Sequence, residues 1–143
     1  MEPPGTDPTR LIPYAGDVIR VLGECQGLAI CELTVPPRFA GPPAHIHYGF
    51  DEAIYVLTGA LSMIRGQTGP EPAPAGTLIL APRGTRHTFA NPTDDPVRVL
   101  GVWSPSSALS FMEEIGAALP AAGPPDPTRL AEIYRRHNSE LAP

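Results

Sequence analysis

The chain has 143 residues, a formal net charge of −5 and 20 prolines. That length is enough for one domain with a real core, while the acidic balance without a basic patch argues against nucleic acid. No apolar run approaches the length of a membrane span. The N-terminus carries acidic and proline residues where a secretory signal has a basic and then an apolar stretch, so a cytoplasmic protein is expected.

Residues 1–16 are rich in Pro, Gly and Thr, and within them Leu11–Tyr14 is expected as an edge strand, on this chain or on a partner. Residues 17–23 and 27–35 read as strands joined by a turn at 24–26, with one face turned inward. Cys25 and Cys31 fall in these apolar surroundings. They are too few for a disulfide scaffold and have no zinc-knuckle spacing, so both are expected as buried reduced thiols.

A loop over 36–43 leads to His45-Ile46-His47. In extended chain, residues i and i+2 share a face, so the two imidazoles point the same way. Glu52 stands an odd step from His47, and a bend through Tyr48-Gly49-Phe50-Asp51 is needed to bring it to the same side. Two imidazoles and a carboxylate that converge in this way suit a divalent first-row metal.

Residues 53–57 are apolar on both faces, where a one-sided antiparallel strand would alternate, so a second sheet or a subunit is expected on the outer side. Thr58-Gly59-Ala60 reads as a hairpin turn with 61–64 returning, and 65–75 as a proline-rich loop. The apolar run 77–81 ends at Pro82, turns through Arg83-Gly84 and restarts at His87, which sets a third imidazole at the start of a strand. Arg86 is out of step with His87 and is expected at the surface or an interface. Residues 91–96 are a turn cluster, and 97–103 form the last strand of the framework.

The period then changes. Apolar residues at 109, 111, 112, 115 and 119 have helical spacing, with a start at a Ser110–Glu113 capping box or earlier, near Ser106. After a Pro/Gly linker over 120–126, Asp126 reads as the N-cap of a second helix with Pro127 in its first position. Leu130, Ile133, Tyr134 and His137 lie along one face of that helix, His137 being read as a surface or packing residue.

The two histidine stretches resemble the paired motifs of the cupins. The second motif, G-x5-P-x-G-x2-H-x3-N, is met in full by Gly76, Pro82, Gly84, His87 and Asn91. The first, G-x5-H-x-H-x3,4-E-x6-G, is met by His45, His47, Glu52 and Gly59. Its leading glycine departs: position 39 is Phe39, and Gly41 comes two residues late. The resemblance implies an all-β fold, a small antiparallel jelly-roll β-barrel, with a metal held by His45, His47, Glu52 and His87. With the two C-terminal helices added, residues 1–143 read as a single cupin domain, with a barrel core over about 17–104 and a helical segment over about 105–140.

Three neutral imidazoles and one carboxylate leave a divalent ion with net positive charge. An octahedral ion would keep two positions open for water, substrate or dioxygen, and iron, manganese, nickel, cobalt, copper and zinc all suit the set. Phe89 shares the parity of His87, and Ile54 and Val56 that of Glu52; Tyr48, Phe50, Met63 and Trp103 are further candidates for the pocket wall. Such an interior favours an aromatic or otherwise hydrophobic small-molecule substrate over a sugar phosphate.

The proline-bounded helices at the C-terminus are similar to those of small single-domain cupins of the quercetinase-like kind. That likeness implies a metal-dependent dioxygenase, an oxidoreductase in which Glu52 is both ligand and the catalytic base that takes a substrate hydroxyl proton. It also places the helices over the barrel mouth as a lid. Two alternatives stay open: a metal-dependent cyclase or isomerase of secondary metabolism, and a non-catalytic small-molecule-binding cupin. A homodimer is expected from the apolar segments at 53–57 and 11–14.

Overall fold

The computed structural model describes residues 10–121 and 123–143, so the first nine residues of the Pro- and Gly-rich leader and Ala122 of the linker lie outside the described residues. The chain forms β1 (Leu11–Tyr14), β2 (Asp17–Cys25), β3 (Leu28–Val35), β4 (His45–His47), β5 (Asp51–Thr58) and β6 (Ala60–Arg65). It continues through β7 (Thr68–Pro74), β8 (Leu78–Ala81), β9 (His87–Ala90), β10 (Val97–Ser104), α1 (Ala108–Ala118), α2 (Pro127–Arg136) and β11 (Ser139–Leu141). The strands build two antiparallel sheets, in the orders β1-β2-β3-β10-β5-β8 and β11-β4-β9-β6-β7. This is a jelly roll of two sheets sharing a core rather than a closed barrel.

Period-two alternation builds that core. Leu33 sits opposite Val99, Cys31 opposite Gly101 and Ala29 opposite Trp103 across β3 and β10, and these side chains turn inward. Cys31 is buried as expected, whereas Cys25, at the end of β2, is exposed. Asn91, the closing residue of the second motif, is structural. Its amide donates to the carbonyls of Val35, Pro36 and Asp95 and accepts from the backbone and hydroxyl of Thr93, which fastens the 91–96 turn to the end of β3.

Several expectations need correction. Gly59 is not a hairpin turn, because β5 and β6 belong to different sheets. It carries the chain between them at φ +83°, with the Val97 side chain so close that a Cβ would lie 2.8 Å from its Cγ2. The proline-rich stretch is no loop: Thr68–Pro74 pairs with β6 as the edge of its sheet, where a residue without an N–H is tolerated and blunts further pairing. Among the described residues the outer face of β5 meets no second sheet, and Tyr55 is exposed there. β1 pairs with β2 and is an edge strand, as expected.

The helices form the layer that closes one end of the core. α1 begins at Ala108 with no side-chain cap, so the expected capping box is absent; Ser110 lies inside the helix and Glu113 pairs with Arg10. Leu109, Phe111, Met112 and Ile115 are buried, each contributing about 1.5–3 kcal/mol of transfer free energy. That apolar face outweighs the missing cap, which is worth about 1 kcal/mol. α2 starts as expected, with Asp126 accepting the backbone N–H of Thr128 at 3.0 Å and Pro127 at its head.

Candidate metal centre

The site lies between the sheets. His45 on β4 and His87 on β9 are direct cross-strand partners, and His47 follows on the same face. Glu52 comes from the other sheet, delivered by the bend between β4 and β5. All four residues are buried, and one ligand atom from each lies within 4.8 Å of every other. Gly41 explains how the first motif works with its glycine displaced. It adopts φ +84° and packs under β9, where a Cβ would stand 2.0 Å from the Phe89 carbonyl oxygen, so the close approach to the metal strand is made two residues late.

The hydrogen bonds on the far side of each ring fix its tautomer. Nδ1 of His45 donates to the Pro43 carbonyl at 2.8 Å, and Nδ1 of His87 to the Thr85 carbonyl at 2.9 Å. Nδ1 of His47 meets the Ser139 hydroxyl at 2.7 Å. That hydroxyl spends its own proton on the His137 carbonyl, so it accepts from His47. A carbonyl only accepts, and each imidazole therefore carries its proton on Nδ1 and keeps Nε2 as the metal-facing nitrogen.

Glu52 is held as firmly. Its Oε1 accepts the Trp103 indole N–H at 2.8 Å and its Oε2 meets Nε2 of His87 at 2.5 Å. Burial raises the carboxyl's pKa, but the charges of His87, His47 and His45 and the His87 hydrogen bond together carry it well below the usual carboxylate range. His87 shows the converse: burial disfavours its charge, yet the Glu52 carboxylate and the bond to it leave its pKa raised. Burial, with the neighbouring imidazoles, pushes His45 down to about 3. Burial and His87 push His47 down to about 4, against the pull of Glu52. Two neutral imidazoles thus stand beside a His87–Glu52 pair that shares one proton. This donor set, with three Nε2 atoms and one carboxylate turned to a common point, fits a divalent transition metal in place of that proton.

A cavity of about 20 Å³ adjoins three of the four, His45, His47 and Glu52. Of the expected wall residues, Ile54, Phe89 and Trp103 line it. Phe50 lies behind the ligands instead, stacked on the His47 ring at 4.2 Å. Val56 is buried in the core away from the cavity, and Met63 is half-buried against the core. Tyr48 is not part of the wall: it is 45% exposed and donates to Glu140 at 2.7 Å, because the bend after β4 turns it out toward β11. Arg86 donates to the carbonyls of Ala142 and Gly66 and so secures the chain after β11.

Sequence reasoning missed β11 and Ser139, and it did not place Phe111, Met112, Ile115, Tyr14 or Tyr134 at the cavity. The amphipathic face of α2 was legible and held Tyr134; a three-residue strand after a helix leaves too short a pattern to read.

Residues 31–103 match the family described as cupin domain. The chain belongs to that family. Its fold is similar to that of other cupins of known structure. An RmlC-like cupin from Shewanella frigidimarina is 19% identical at a TM-score of 0.60, over 68% of this chain and 85% of that one. The polyketide cyclase RemF from Streptomyces resistomycificus is 22% identical at 0.59, over 74% of this chain and 80% of that one. A sugar phosphate isomerase of the cupin superfamily from Silicibacter pomeroyi is 28% identical at 0.55, over 62% of this cupin and 59% of that chain. No curated protein matches the chain at a significant level. Among the described residues, no helix is long and apolar enough to cross a membrane.

Proposed function

We propose that this cupin is a metal-dependent enzyme acting on an apolar small molecule with an enolisable or phenolic oxygen, and that the reaction is a dioxygenation of the quercetinase-like kind. The observation that carries this reading is the cavity itself: His45, His47 and Glu52 of the three-histidine, one-glutamate cluster open on Leu33, Ile54, Phe89, Phe111, Met112 and Ile115, with no arginine in the wall. Beyond the metal itself, a phosphate-bearing substrate has no cationic side chain to meet there, whereas an aromatic ring finds aliphatic and aromatic walls.

A divalent ion held by His45, His47, Glu52 and His87 supplies Lewis acidity and open coordination positions. The chain's own part is to orient and to move a proton. Trp103 holds Oε1 of Glu52, which leaves Oε2 as the oxygen that takes a hydroxyl proton from the substrate. The helices exclude water. A space of about 20 Å³ takes one water-sized group, and a ring system needs about 300 Å³ or more, so α1 and α2 move aside for the substrate to bind.

Oxygen uptake by the metal-loaded protein with a flavonol or a related enol tests this. Uptake that requires metal and is lost in His47→Ala supports it. Product formed without uptake moves the assignment to the second reading, a metal-assisted cyclisation or isomerisation, which the fold of the polyketide cyclase favours by likeness. Tight binding with no product would make the cupin a carrier.

A further inference from the structure

Two phenols in the cavity wall are still without a task. Tyr14 ends β1 and Tyr134 lies on α2, and both line the cavity beside His45, His47 and Glu52. Tyr14 is 5% exposed and Tyr134 1%. Burial and nearby charges act on both phenols, and no side-chain hydrogen bond to another described residue does. Each hydroxyl therefore keeps a donor free at the cavity it lines, where a ligand can take it.

The other polar groups of the wall contrast with these two. The Trp103 N–H is taken by Glu52, and each imidazole Nδ1 is taken by a carbonyl or by Ser139. Beside the metal-facing atoms, the two phenols are the free hydrogen-bonding groups of the cavity. Both rings are held by packing. Tyr134 lies 5.0 Å from the His45 ring and parallel to His47 within 7°, and Tyr14 meets Phe39 edge-on at 6.0 Å. α1, which covers the cavity, packs on β1 so closely that a Cβ at Gly116 would stand 1.9 Å from the Pro13 carbonyl oxygen, next to Tyr14. In this closed arrangement packing holds both rings at the cavity, and Tyr14, on β1, keeps its place when the helices move aside.

We propose that Tyr14 and Tyr134 form a substrate-binding pair whose hydroxyls donate to the oxygens of an enediol- or catechol-like ligand seated at the metal centre. The inference rests on the function proposed above and narrows it to a ligand with adjacent oxygens on an apolar skeleton. A phenol is protonated at neutral pH and donates to an oxygen that gains negative charge as its proton leaves, where a hydrogen bond is about twice as strong.

The test is nitrocatechol binding to the zinc-loaded protein, followed by absorbance, for the wild type, Tyr14→Phe and Tyr134→Phe. Phenylalanine keeps the ring and removes the donor. The expected result is an unchanged zinc affinity with nitrocatechol binding weakened about three- to tenfold in each variant. Equal nitrocatechol affinity in both variants overturns the pair and leaves the proposed function standing. A wild type that loads zinc but takes no nitrocatechol overturns both. A second measurement needs no variant at either position: in wild-type protein isotope-labelled at tyrosine Cζ, exposed Tyr48 and Tyr55 are assigned through Tyr48→Phe and Tyr55→Phe. The two remaining resonances should shift when nitrocatechol binds, and resonances that stay still overturn the pair.

Discussion

The indole N–H of Trp103 reaches Oε1 of Glu52 at 2.8 Å, across a register in which the two residues face each other on β10 and β5. The indole lies against Gly101, where a Cβ would come within 2.4 Å of its Cη2. Gly101→Ala should therefore push the indole off Glu52. We expect a loss of about 1–3 kcal/mol in stability from overpacking and about a tenfold or greater loss in metal affinity as the carboxylate loses its anchor. Thermal denaturation and competition with a chromophoric chelator measure the two effects. Unchanged metal affinity would mean that the indole does not orient Glu52.

Ser139 acts on the site through His47. In Ser139→Ala the Nδ1 proton of His47 is left without an acceptor in a buried position, so the ring is free to take the tautomer that points the proton at the metal. Metal affinity should fall about 10–100-fold. Glu140→Ala on the same strand removes only an exposed acceptor of the Tyr48 hydroxyl and should leave affinity unchanged, which separates loss of the Ser139 hydroxyl from damage to β11.

The metal-free protein should be most stable near pH 6.5, the ordinary imidazole value. His45 and His47 have folded values pushed down to about 3 and about 4, so as pH falls below 6.5 the unfolded chain takes up protons that the folded chain refuses, and stability drops. His87 has a raised value: its contribution is complete below 6.5 and is lost as pH rises through the folded value. Metal binding must expel the proton shared by His87 and Glu52, so apparent affinity should climb with pH up to the raised value of His87 and then level off. Denaturant melts and metal titrations across pH 4–9 check both trends; metal affinity that is flat below neutrality would contradict the shared proton.

The four clustered residues were readable because each type is tied to a spacing that survives into the fold. His45 and His47 share strand parity, and His87 follows a turn in which Gly84 takes a positive φ of 85°. Their supports were not readable. Ser139 comes from the far end of the chain and Trp103 looks like any core aromatic, since a hydrogen bond between residues distant in sequence leaves no local pattern. The same limit produced the wrong hairpin at Gly59, because a glycine between apolar runs marks a tight turn and a change of sheet alike. Proline at 70, 72 and 74 suggested a loop for the same kind of reason: propensity does not know that a strand will sit at an edge.

The outer face of the six-stranded sheet carries the last prediction. Tyr55 and Leu78 are cross-strand partners, as are Ala53 and Leu80, and β8 is the unpaired edge. Tyr55 is 41% exposed, Leu78 57% and Leu80 45%, so an apolar patch and a free edge coincide. This is the outer side of the strand whose two apolar faces led us to expect a subunit contact. We expect the protein to be a homodimer that buries this patch, and Leu78→Lys with Leu80→Lys to yield a monomer that still loads metal, because neither side chain reaches the cavity. Light scattering at micromolar concentration decides it: a wild-type monomer removes the dimer, and a lysine variant that stays dimeric moves the interface to another face.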